Sequence, residues 1–274
     1  MVNQSTSFRW TSHRWTYPGE SLMSLIETEM DTRVLTVTLN DPENRNTLSS
    51  ELTFELVETL DAADNDPEVR VIVLTNAGKV FCAGADLSQR SKGTKASKSV
   101  NPLDLFGRFR KSPKPYIGRI AGHCVAGGMG LAAAMDLSVA IEDAKFGFTE
   151  VRIGVAPAMI SVLCLPKMRP AEAAEAMLLG NRMTGADAAR LGLVNQAVPA
   201  EKLDAAVQKY VDDLLAGGPN ALAATKQLLV QVPEMDVDSA FEWTSKLSAD
   251  LFQGDEAKEG MDAFLNKRPP NWIK

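Results

Sequence analysis

Apolar and polar residues alternate along residues 24–30 and 33–40, on either side of Asp31-Thr32. A period of two around a turn-forming pair predicts a β-hairpin. Residues 51–64 instead place leucines at helical spacing after a Ser-Ser pair that can cap the first turn, which predicts a helix. Residues 71–74 form a continuous apolar run, typical of a strand buried on both faces. This strand–helix–strand order predicts a layered α/β core.

The pattern changes along the chain and divides it into three parts. Residues 77–101 show little periodicity and are predicted as a long loop or an irregular helix. Next come a predicted strand, helix and strand (116–125, 127–135 and 137–141). Helical patterns then follow at 170–179, 185–191, 201–216, 219–231, 237–253 and 256–265. We predict an N-terminal extension over 1–22, an α/β body over 23–200 and a helical region over 201–274. The aromatic residues of the first 22 positions could instead pack on the body.

The composition narrows the class of protein. The chain has 274 residues, of which 45% are hydrophobic and 23% charged, as in soluble globular proteins. Its net charge of −6 argues against nucleic acid or an anionic membrane as the main partner. Residues 1–22 lack the apolar run of a secretory signal. The three cysteines form no C-x-x-C pair, which favours free thiols and a cytoplasmic location.

The sequence lacks the residues that several classes of enzyme require. The only histidines are His13 and His123, and no H-E-x-x-H is present, so no metal site is expected. The G-x-S-x-G turn is also absent, which argues against a Ser-His-Asp hydrolase.

Two glycine-containing turns, at residues 81–87 and 122–131, follow two apolar strands. Glycine permits a tight turn and lets a ligand approach backbone N–H groups. Gly127-Gly128 opens a predicted helix, where free N–H groups and the helix dipole favour negative charge. Two such amides converging from separate loops could hold an oxyanion.

Glu150 is a candidate acid/base because it lies in the mostly apolar segment 146–157. Burial there would raise the pKa of its carboxyl group and suit it to proton transfer. The alternative, and the commoner arrangement for a glutamate, is an ion pair with Arg152 or another surface cation.

A third feature is the G-x-G-x-x-A match at residues 128–133, which formally permits a dinucleotide site and hence a nicotinamide-dependent oxidoreductase. Such a site also needs an acidic residue about 20 positions later, at the end of the next strand, and no residue clearly meets this requirement. Glu142 and Asp143 follow Gly128 by only 14 and 15 residues.

Six segments, taken together in this order, resemble the crotonase (enoyl-CoA hydratase/isomerase) family over about residues 26–272. They are DPENRNTL at 41–48, FCAGADL at 81–87, GHCVAGGMGL at 122–131, FGFTEVRIGVAP at 146–157, AARLGLV at 188–194 and AFLNKRPP at 263–270. The resemblance implies a spiral of ββα repeats over 23–200 and a helical C-terminal trimerisation region over 201–274. It further implies a homotrimer or dimer of trimers and an acyl-CoA substrate, with no cofactor besides the coenzyme A of that substrate.

The resemblance also implies a site. The N–H groups of Ala85 and Gly127 would hold the thioester oxygen, and Glu150 would move protons. Substrate contacts are implied at Arg45, Ala83, Gly84, Asp86, Leu87, Gly128, Gly130, Phe264 and Lys267. Arg45 is also consistent with an ordinary surface arginine, Asp86 with a turn or cap, and Lys267 with compensation of the helix dipole.

One departure bears on the reaction. Hydratases of the family usually carry a second glutamate at the position of Gly130, which has no side chain. A single carboxylate suits a shift of a double bond between carbons, and it can also serve water addition. The sequence therefore leaves hydration and isomerisation of an unsaturated acyl-CoA open. A homologue that binds acyl-CoA without catalysis is a further alternative.

Overall fold

The computed structural model describes residues 13–14, 24–88 and 100–273. The rest of the predicted N-terminal extension, and residues 89–99 of the predicted long loop, lie outside the described residues.

The described residues form two β-sheets with helices on their faces. The strands are β1 (His13–Arg14), β2 (Ile26–Asp31), β3 (Val34–Leu39), β4 (Val71–Asn76), β5 (Val80–Cys82), β6 (Tyr116–Ile120), β7 (His123–Val125), β8 (Leu137–Ile141), β9 (Lys145–Gly147), β10 (Met183–Thr184) and β11 (Gln196–Val198). The α-helices are α1 (Ser50–Asn65), α2 (Pro102–Phe106), α3 (Arg108–Lys111), α4 (Gly127–Ala134), α5 (Ala158–Cys164), α6 (Pro170–Leu179), α7 (Gly185–Arg190), α8 (Leu203–Ala216), α9 (Pro219–Gln231), α10 (Val237–Gln253) and α11 (Asp255–Leu265). Short 3₁₀ turns lie at Glu150–Ile153, Leu165–Lys167, Ala200–Lys202 and Val232–Glu234.

The larger sheet has the order β1-β2-β3-β4-β6-β8-β11, and the smaller has the order β10-β9-β7-β5. The predicted hairpin is confirmed, because β2 and β3 pair antiparallel from Ile26 opposite Leu39 to Asp31 opposite Val34. From β3 onward the larger sheet is parallel. In the smaller sheet, β5, β7 and β9 are parallel and β10 closes the edge antiparallel.

Strand β4 is buried along its whole length, as its sequence predicts. Ile72 and Leu74 face the main core, which includes Leu52, Leu56 and Leu60 of α1. Ser49 caps α1 by accepting a hydrogen bond from the Leu52 N–H, as expected from the Ser-Ser pair. Alternate residues of the same strand face the opposite side of the sheet.

Helix α8 covers that opposite side. Its residues Leu203, Val207 and Val211 pack on a second apolar cluster that includes Val71 and Val73 of β4. The predicted helices between residues 170 and 265 are all present, with ends that differ by at most two residues. Within the described ranges, no helix is both long and apolar enough to cross a bilayer.

The prediction of one strand over 116–125 is wrong. The chain forms β6 in the larger sheet, turns at Ala121-Gly122, and enters the smaller sheet as β7. A Cβ atom on Gly122 would lie 2.5 Å from the carbonyl oxygen of Lys79, so only glycine allows this close passage between the sheets.

The C-terminal helices are tied to the body by polar contacts as well as by α8. Lys226 of α9 is buried and donates to the carbonyl of Lys114 and to the Asp136 carboxylate, each at 2.7 Å. Arg70, which precedes β4, donates to the carbonyl of Gly217 at 2.7 Å. The indole N–H of Trp272 donates to Ala216 at 3.0 Å, which holds the end of the chain against α8.

Candidate active site

Three parallel strands of the smaller sheet deliver the candidate residues to one edge. Strand β5 leads into Ala83–Ala85, β7 leads into Gly127, and β9 leads into Glu150. Because parallel strands share a direction, their carboxyl ends lie at the same edge of the sheet, where ligands of α/β proteins commonly bind. The predicted turns and the predicted carboxylate are thus brought together by topology.

Asn46 fixes the loop that leads to this edge, a role that its sequence context does not predict. The residue is fully buried, and its side-chain oxygen accepts from the Asp41 N–H at 2.7 Å. Its amide group donates to the carbonyls of Ala77 and Val80, at 3.1 and 2.7 Å. The φ angle of 50° is one that asparagine tolerates better than most residues. The only signal in the sequence was an asparagine in a Pro- and Asn-rich turn.

The turn after β5 is set by Gly84. Its φ of +87° lies in the left-handed region, and a Cβ atom there would lie 2.7 Å from the Gly127 nitrogen. The carbonyl of Gly84 accepts from the Leu48 N–H at 2.7 Å, and the Ala83 N–H donates to Arg45 at 3.1 Å. These bonds hold the peptide that carries the Ala85 N–H.

The turn after β7 is set by Ala126, which has a φ of 50° and a ψ of −126°, unusual values for a residue with a Cβ atom. The Ala126 N–H donates to the Gly147 carbonyl at 3.0 Å. The ψ angle of a residue orients the N–H of the next one, so this strained residue sets the direction of the Gly127 N–H. The alanine gave no signal in the sequence.

The two amides predicted to bind an oxyanion are neighbours. A Cβ atom on Gly127 would lie 3.2 Å from Gly84 Cα and 3.6 Å from the Ala85 nitrogen. Neither N–H has a hydrogen-bond acceptor among the described residues, and both residues are partly exposed. The Gly127 amide also lies at the N-terminus of α4, where the helix dipole favours negative charge. The pair can therefore receive the oxygen of a polarised carbonyl.

Glu150 begins the 3₁₀ turn that follows β9. Its Oε2 atom is buried and has no hydrogen-bond partner among the described residues. Burial raises the pKa of the carboxyl group, and a hydrogen bond from the backbone of Glu150 opposes this shift. The alternative of an ion pair with Arg152 is wrong, because Arg152 donates instead to Asn181 at 2.8 Å. A half-buried carboxylate with one buried oxygen that has no partner is suited to proton transfer.

The glycines of the G-x-G-x-x-A match lie inside α4 and pack against protein. A Cβ atom on Gly128 would lie 2.3 Å from the carbonyl oxygen of Cys82, and one on Gly130 would lie 2.4 Å from Ile160 Cγ2. The dinucleotide interpretation is wrong, because these glycines serve close packing of a helix on a strand and on a second helix. Their predicted contact with substrate stays a prediction.

The other predicted contacts fall into two groups. Arg45 lies beside the Gly84 turn, is exposed, and forms no ion pair among the described residues. Asp86 accepts from the N–H and the hydroxyl of Ser88, at 2.8 and 2.7 Å, which agrees with a turn or cap role. Leu87 is 56% exposed at this turn.

Phe264 and Lys267 lie at the C-terminal end of α11, where Phe264 is 83% exposed. Within the part of the chain that the structure describes, no hydrogen bond or ion pair joins them to the Gly84 or Gly127 turns. Within a single chain, no such bond therefore connects these two described residues to the edge of the smaller sheet.

The fold and the site define an enzyme-like centre that can bind an oxyanion at two amides and move a proton with one carboxylate. Comparison with known proteins agrees with this class. The family model for enoyl-CoA hydratase/isomerase matches residues 29–274. The chain therefore belongs to the enoyl-CoA hydratase/isomerase family, and the predicted crotonase-like fold is confirmed.

Individual relatives cover nearly the same part. A putative enoyl-CoA hydratase of Thermus thermophilus is 37% identical over 245 residues, which is 87% of this chain and 97% of the relative. An (E)-benzylidenesuccinyl-CoA hydratase of Thauera aromatica is 34% identical over 246 residues, covering 88% and 96%. Among solved structures, an enoyl-CoA hydratase of Mycobacterium smegmatis is similar with a TM-score of 0.83 and 32% identity, covering 91% of this chain and 99% of the other.

Proposed function

We propose that the protein adds water across the double bond of a 2-enoyl-CoA thioester, in fatty-acid or related acyl-CoA metabolism. Glu150 is the single acid/base, and the N–H groups of Ala85 and Gly127 bind the thioester oxygen. The observation that carries the proposal is the buried, unpartnered Oε2 of Glu150, at the edge where two unpaired amides also lie. The relatives from Thermus thermophilus and Thauera aromatica are named as hydratases, which supports hydration over isomerisation.

Each group has one task in this mechanism. Glu150 takes a proton from a water molecule, and the water oxygen bonds to Cβ of the substrate. The electrons of the double bond move toward the thioester, so that negative charge develops on its oxygen, facing the Ala85 and Gly127 amides. Glu150 then returns the proton to Cα, which restores the carbonyl and yields a 3-hydroxyacyl-CoA. Loss of one such amide donor typically costs about 10²–10³ in rate.

Binding of the CoA part is assigned to Arg45 near the site, to Phe264 on α11 and to Lys267, which follows that helix. We also propose that the protein is cytoplasmic and assembles as a homotrimer or a dimer of trimers. It needs no cofactor besides the coenzyme A of the substrate. Exposed apolar side chains on the C-terminal helices support an assembled form, including Phe241 at 69% exposure and Phe252 at 65%.

A second candidate is the shift of a double bond from a 3-enoyl-CoA to a 2-enoyl-CoA. It is favoured by Gly130, which leaves Glu150 without a second carboxylate on α4. Here Glu150 would take a proton from one carbon and return it to another, and no water would be added.

A panel of saturated, 2-enoyl and 3-enoyl CoA thioesters in heavy water tests both reactions. We expect wild-type protein to convert the 2-enoyl thioester to a hydroxyacyl product with deuterium at Cα, and Glu150→Gln to lose this activity. Glu175→Gln, an exposed glutamate of α6, is the matched control. A double-bond shift without water addition would support isomerisation instead. Acyl-CoA binding without any turnover would overturn both and indicate a non-catalytic homologue.

A further inference from the structure

Ala126 has a backbone conformation that glycine adopts freely and alanine does not. Its φ is 50° and its ψ is −126°, a combination that brings a Cβ atom too close to the neighbouring backbone. Glycine stands nearby at Gly84, Gly127 and Gly128, so the two turns use glycine elsewhere. The strain at position 126 is therefore tied to the alanine side chain, which a glycine would remove.

The methyl group of Ala126 lies against the turn that carries the other amide. A Cβ atom on Gly84 would be only 2.8 Å from Ala126 Cβ and 2.7 Å from the Gly127 nitrogen. The Gly84 carbonyl also accepts from the Leu48 N–H at 2.7 Å. The Gly84 turn is thus held by Leu48 and bounded by the Ala126 methyl group. This limits how far the two amides can move relative to each other.

Both backbone groups of Ala126 are bonded to other parts of the site. Its N–H donates at 3.0 Å to the carbonyl of Gly147, the last residue of the strand that leads into Glu150. Its carbonyl accepts at 2.8 Å from the Met129 N–H, in the first turn of α4. Ala126 therefore joins the Gly84 turn, helix α4 and strand β9.

Position 126 is also the N-cap of α4. Serine, threonine, aspartate and asparagine are common at such positions, because their side-chain oxygens accept from first-turn N–H groups. An oxygen at position 126 would compete with a substrate oxygen for the amides at the start of α4, and an aspartate would also repel its negative charge. Alanine carries no oxygen on its side chain, so it leaves these amides to the substrate.

We propose that Ala126 is a positioning residue of the active site. Its strained backbone orients the Gly127 N–H, its methyl group bounds the Gly84 turn, and its N–H holds the strand that leads to Glu150. Ala126 thereby sets the spacing between the two amide donors and the carboxylate. The strain that this requires lowers the stability of the folded protein. This role rests on the proposed hydration of a 2-enoyl-CoA and adds a residue that acts through the groups named there.

Ala126→Gly separates positioning from folding, because it removes the methyl group and relieves the strain together. Ala126 is partly exposed, so the change opens no buried cavity, and glycine tolerates the φ of 50°. Tm should therefore rise by about 2–4 °C. With the spacing no longer fixed, kcat for a 2-enoyl-CoA should fall about tenfold. KM should change less than about twofold, because the oxyanion contact is strongest in the transition state.

Thr32→Gly is the matched control. Thr32 is exposed in the turn between β2 and β3, and its φ of 42° is also left-handed. The variant makes the same kind of replacement away from the edge of the smaller sheet, so kcat and KM should stay at their wild-type values.

A second measurement reports on the amides directly and needs no turnover. Butyryl-CoA has no double bond to hydrate, and an isotopic label on its thioester carbonyl carbon separates that infrared band from those of the protein. The band falls in frequency when N–H groups donate to the oxygen. It should lie lower on wild-type protein than in free butyryl-CoA, and move back toward the free value or broaden on Ala126→Gly. On Thr32→Gly it should match wild-type protein.

The outcomes separate the two proposals. An unchanged kcat together with an unchanged carbonyl band in Ala126→Gly would overturn the positioning role while leaving hydration intact. A fall in Tm would also overturn it, because the alanine would then serve the fold. If wild-type protein shifts the band but hydrates no 2-enoyl thioester, the proposed function fails, and the band in Ala126→Gly still decides the role of Ala126. An unshifted band on wild-type protein would overturn both proposals.

Discussion

A Cβ atom on Gly84 would lie 2.7 Å from the backbone nitrogen of Gly127. The two turns that carry the candidate oxyanion donors are therefore in direct backbone contact, although 43 residues separate them in the sequence (127 − 84). Neither turn can shift without moving the other, and the spacing between the Ala85 and Gly127 amides depends on this contact.

Gly84→Ala is expected to reduce kcat/KM by about 10²–10³, the typical loss for one oxyanion donor, because the new methyl group forces the two turns apart. Gly192→Ala is a matched control. Its φ of +85° is almost the same as the +87° of Gly84, and a Cβ there meets the Lys167 carbonyl at 2.5 Å. Both variants should lose stability, and only Gly84→Ala should lose activity per folded molecule. Similar kinetic losses in both would contradict the role of this contact.

Glu150→Gln is expected to lower the rate about 10²–10⁴-fold, because the acid/base group is lost. The same variant is expected to be more stable than wild-type protein near pH 7. Burial raises the pKa of Glu150, so the ionised side chain costs free energy in the folded state. Below the ordinary value of 4.5 the group is protonated in both states, and this cost is absent. As pH rises through the raised pKa, wild-type stability should fall relative to the variant. Urea unfolding from pH 4 to 8 measures the difference, and a constant difference would contradict the assignment.

The same shift sets the pH dependence of catalysis. Glu150 must be ionised to accept the first proton, so kcat/KM should fall as pH drops through the pKa of this carboxyl group. The midpoint should lie above the ordinary glutamate value of 4.5, since burial raises the pKa. Residual activity of Glu150→Gln should show no such acidic limb. A midpoint at or below 4.5 would indicate that a different group controls the rate.

Asn46→Gly tests the loop support without adding backbone strain, because glycine tolerates the φ of 50° at this position. The variant leaves the Asp41 N–H and the Val80 carbonyl without their Asn46 partner, and leaves the Ala77 carbonyl with only a long contact from Asn76 at 3.4 Å. Each buried group left unpaired costs about 1–3 kcal/mol. Asn44→Ala removes an exposed amide of the same loop and should change stability by no more than about 0.5 kcal/mol. If both variants changed the free energy of unfolding in urea equally, Asn46 would not have this structural role.

Arg45→Gln tests whether this exposed guanidinium binds the phosphates of CoA. We expect KM for a CoA thioester to rise about two- to fivefold, as for an exposed ion pair of about 0.5–1 kcal/mol. KM for the matching thioester of pantetheine, which lacks the nucleotide, should not change. Lys209→Gln, an exposed cation on α8, controls for net charge. An equal rise in KM for both thioesters would show that Arg45 does not contact the nucleotide part of CoA.

Local spacing predicted most of the secondary structure because helices and strands bury side chains at fixed periods. The prediction failed at Ala121-Gly122, where the chain leaves one sheet for the other. That break depends on the Lys79 carbonyl beside Gly122, a contact across more than 40 residues (122 − 79 = 43). Alternating or apolar residues cannot indicate which sheet a strand will join.

The candidate site, too, was predictable from local sequence only in part. Glu150 was recognisable as a carboxylate in an apolar segment, and the glycine turns were recognisable by composition. Asn46, Ala126 and Ile160 were not, because their roles come from through-space contacts or from an unusual backbone angle. The sequence also could not exclude the Arg152 ion pair, which depends on the position of Asn181.

Helix α8 also has a consequence for biosynthesis. Val71 and Val73 of β4, Ile117 of β6 and Val139 of β8 leave the ribosome well before Leu203, Val207 and Val211, which cover them. One face of the larger sheet therefore stays open to solvent until about three quarters of the chain has been made (211 of 274 residues). A nascent chain with such a face is prone to aggregate or to bind chaperones. A chain that stopped at residue 200 would keep that face open permanently, because it would end before the helix that covers it.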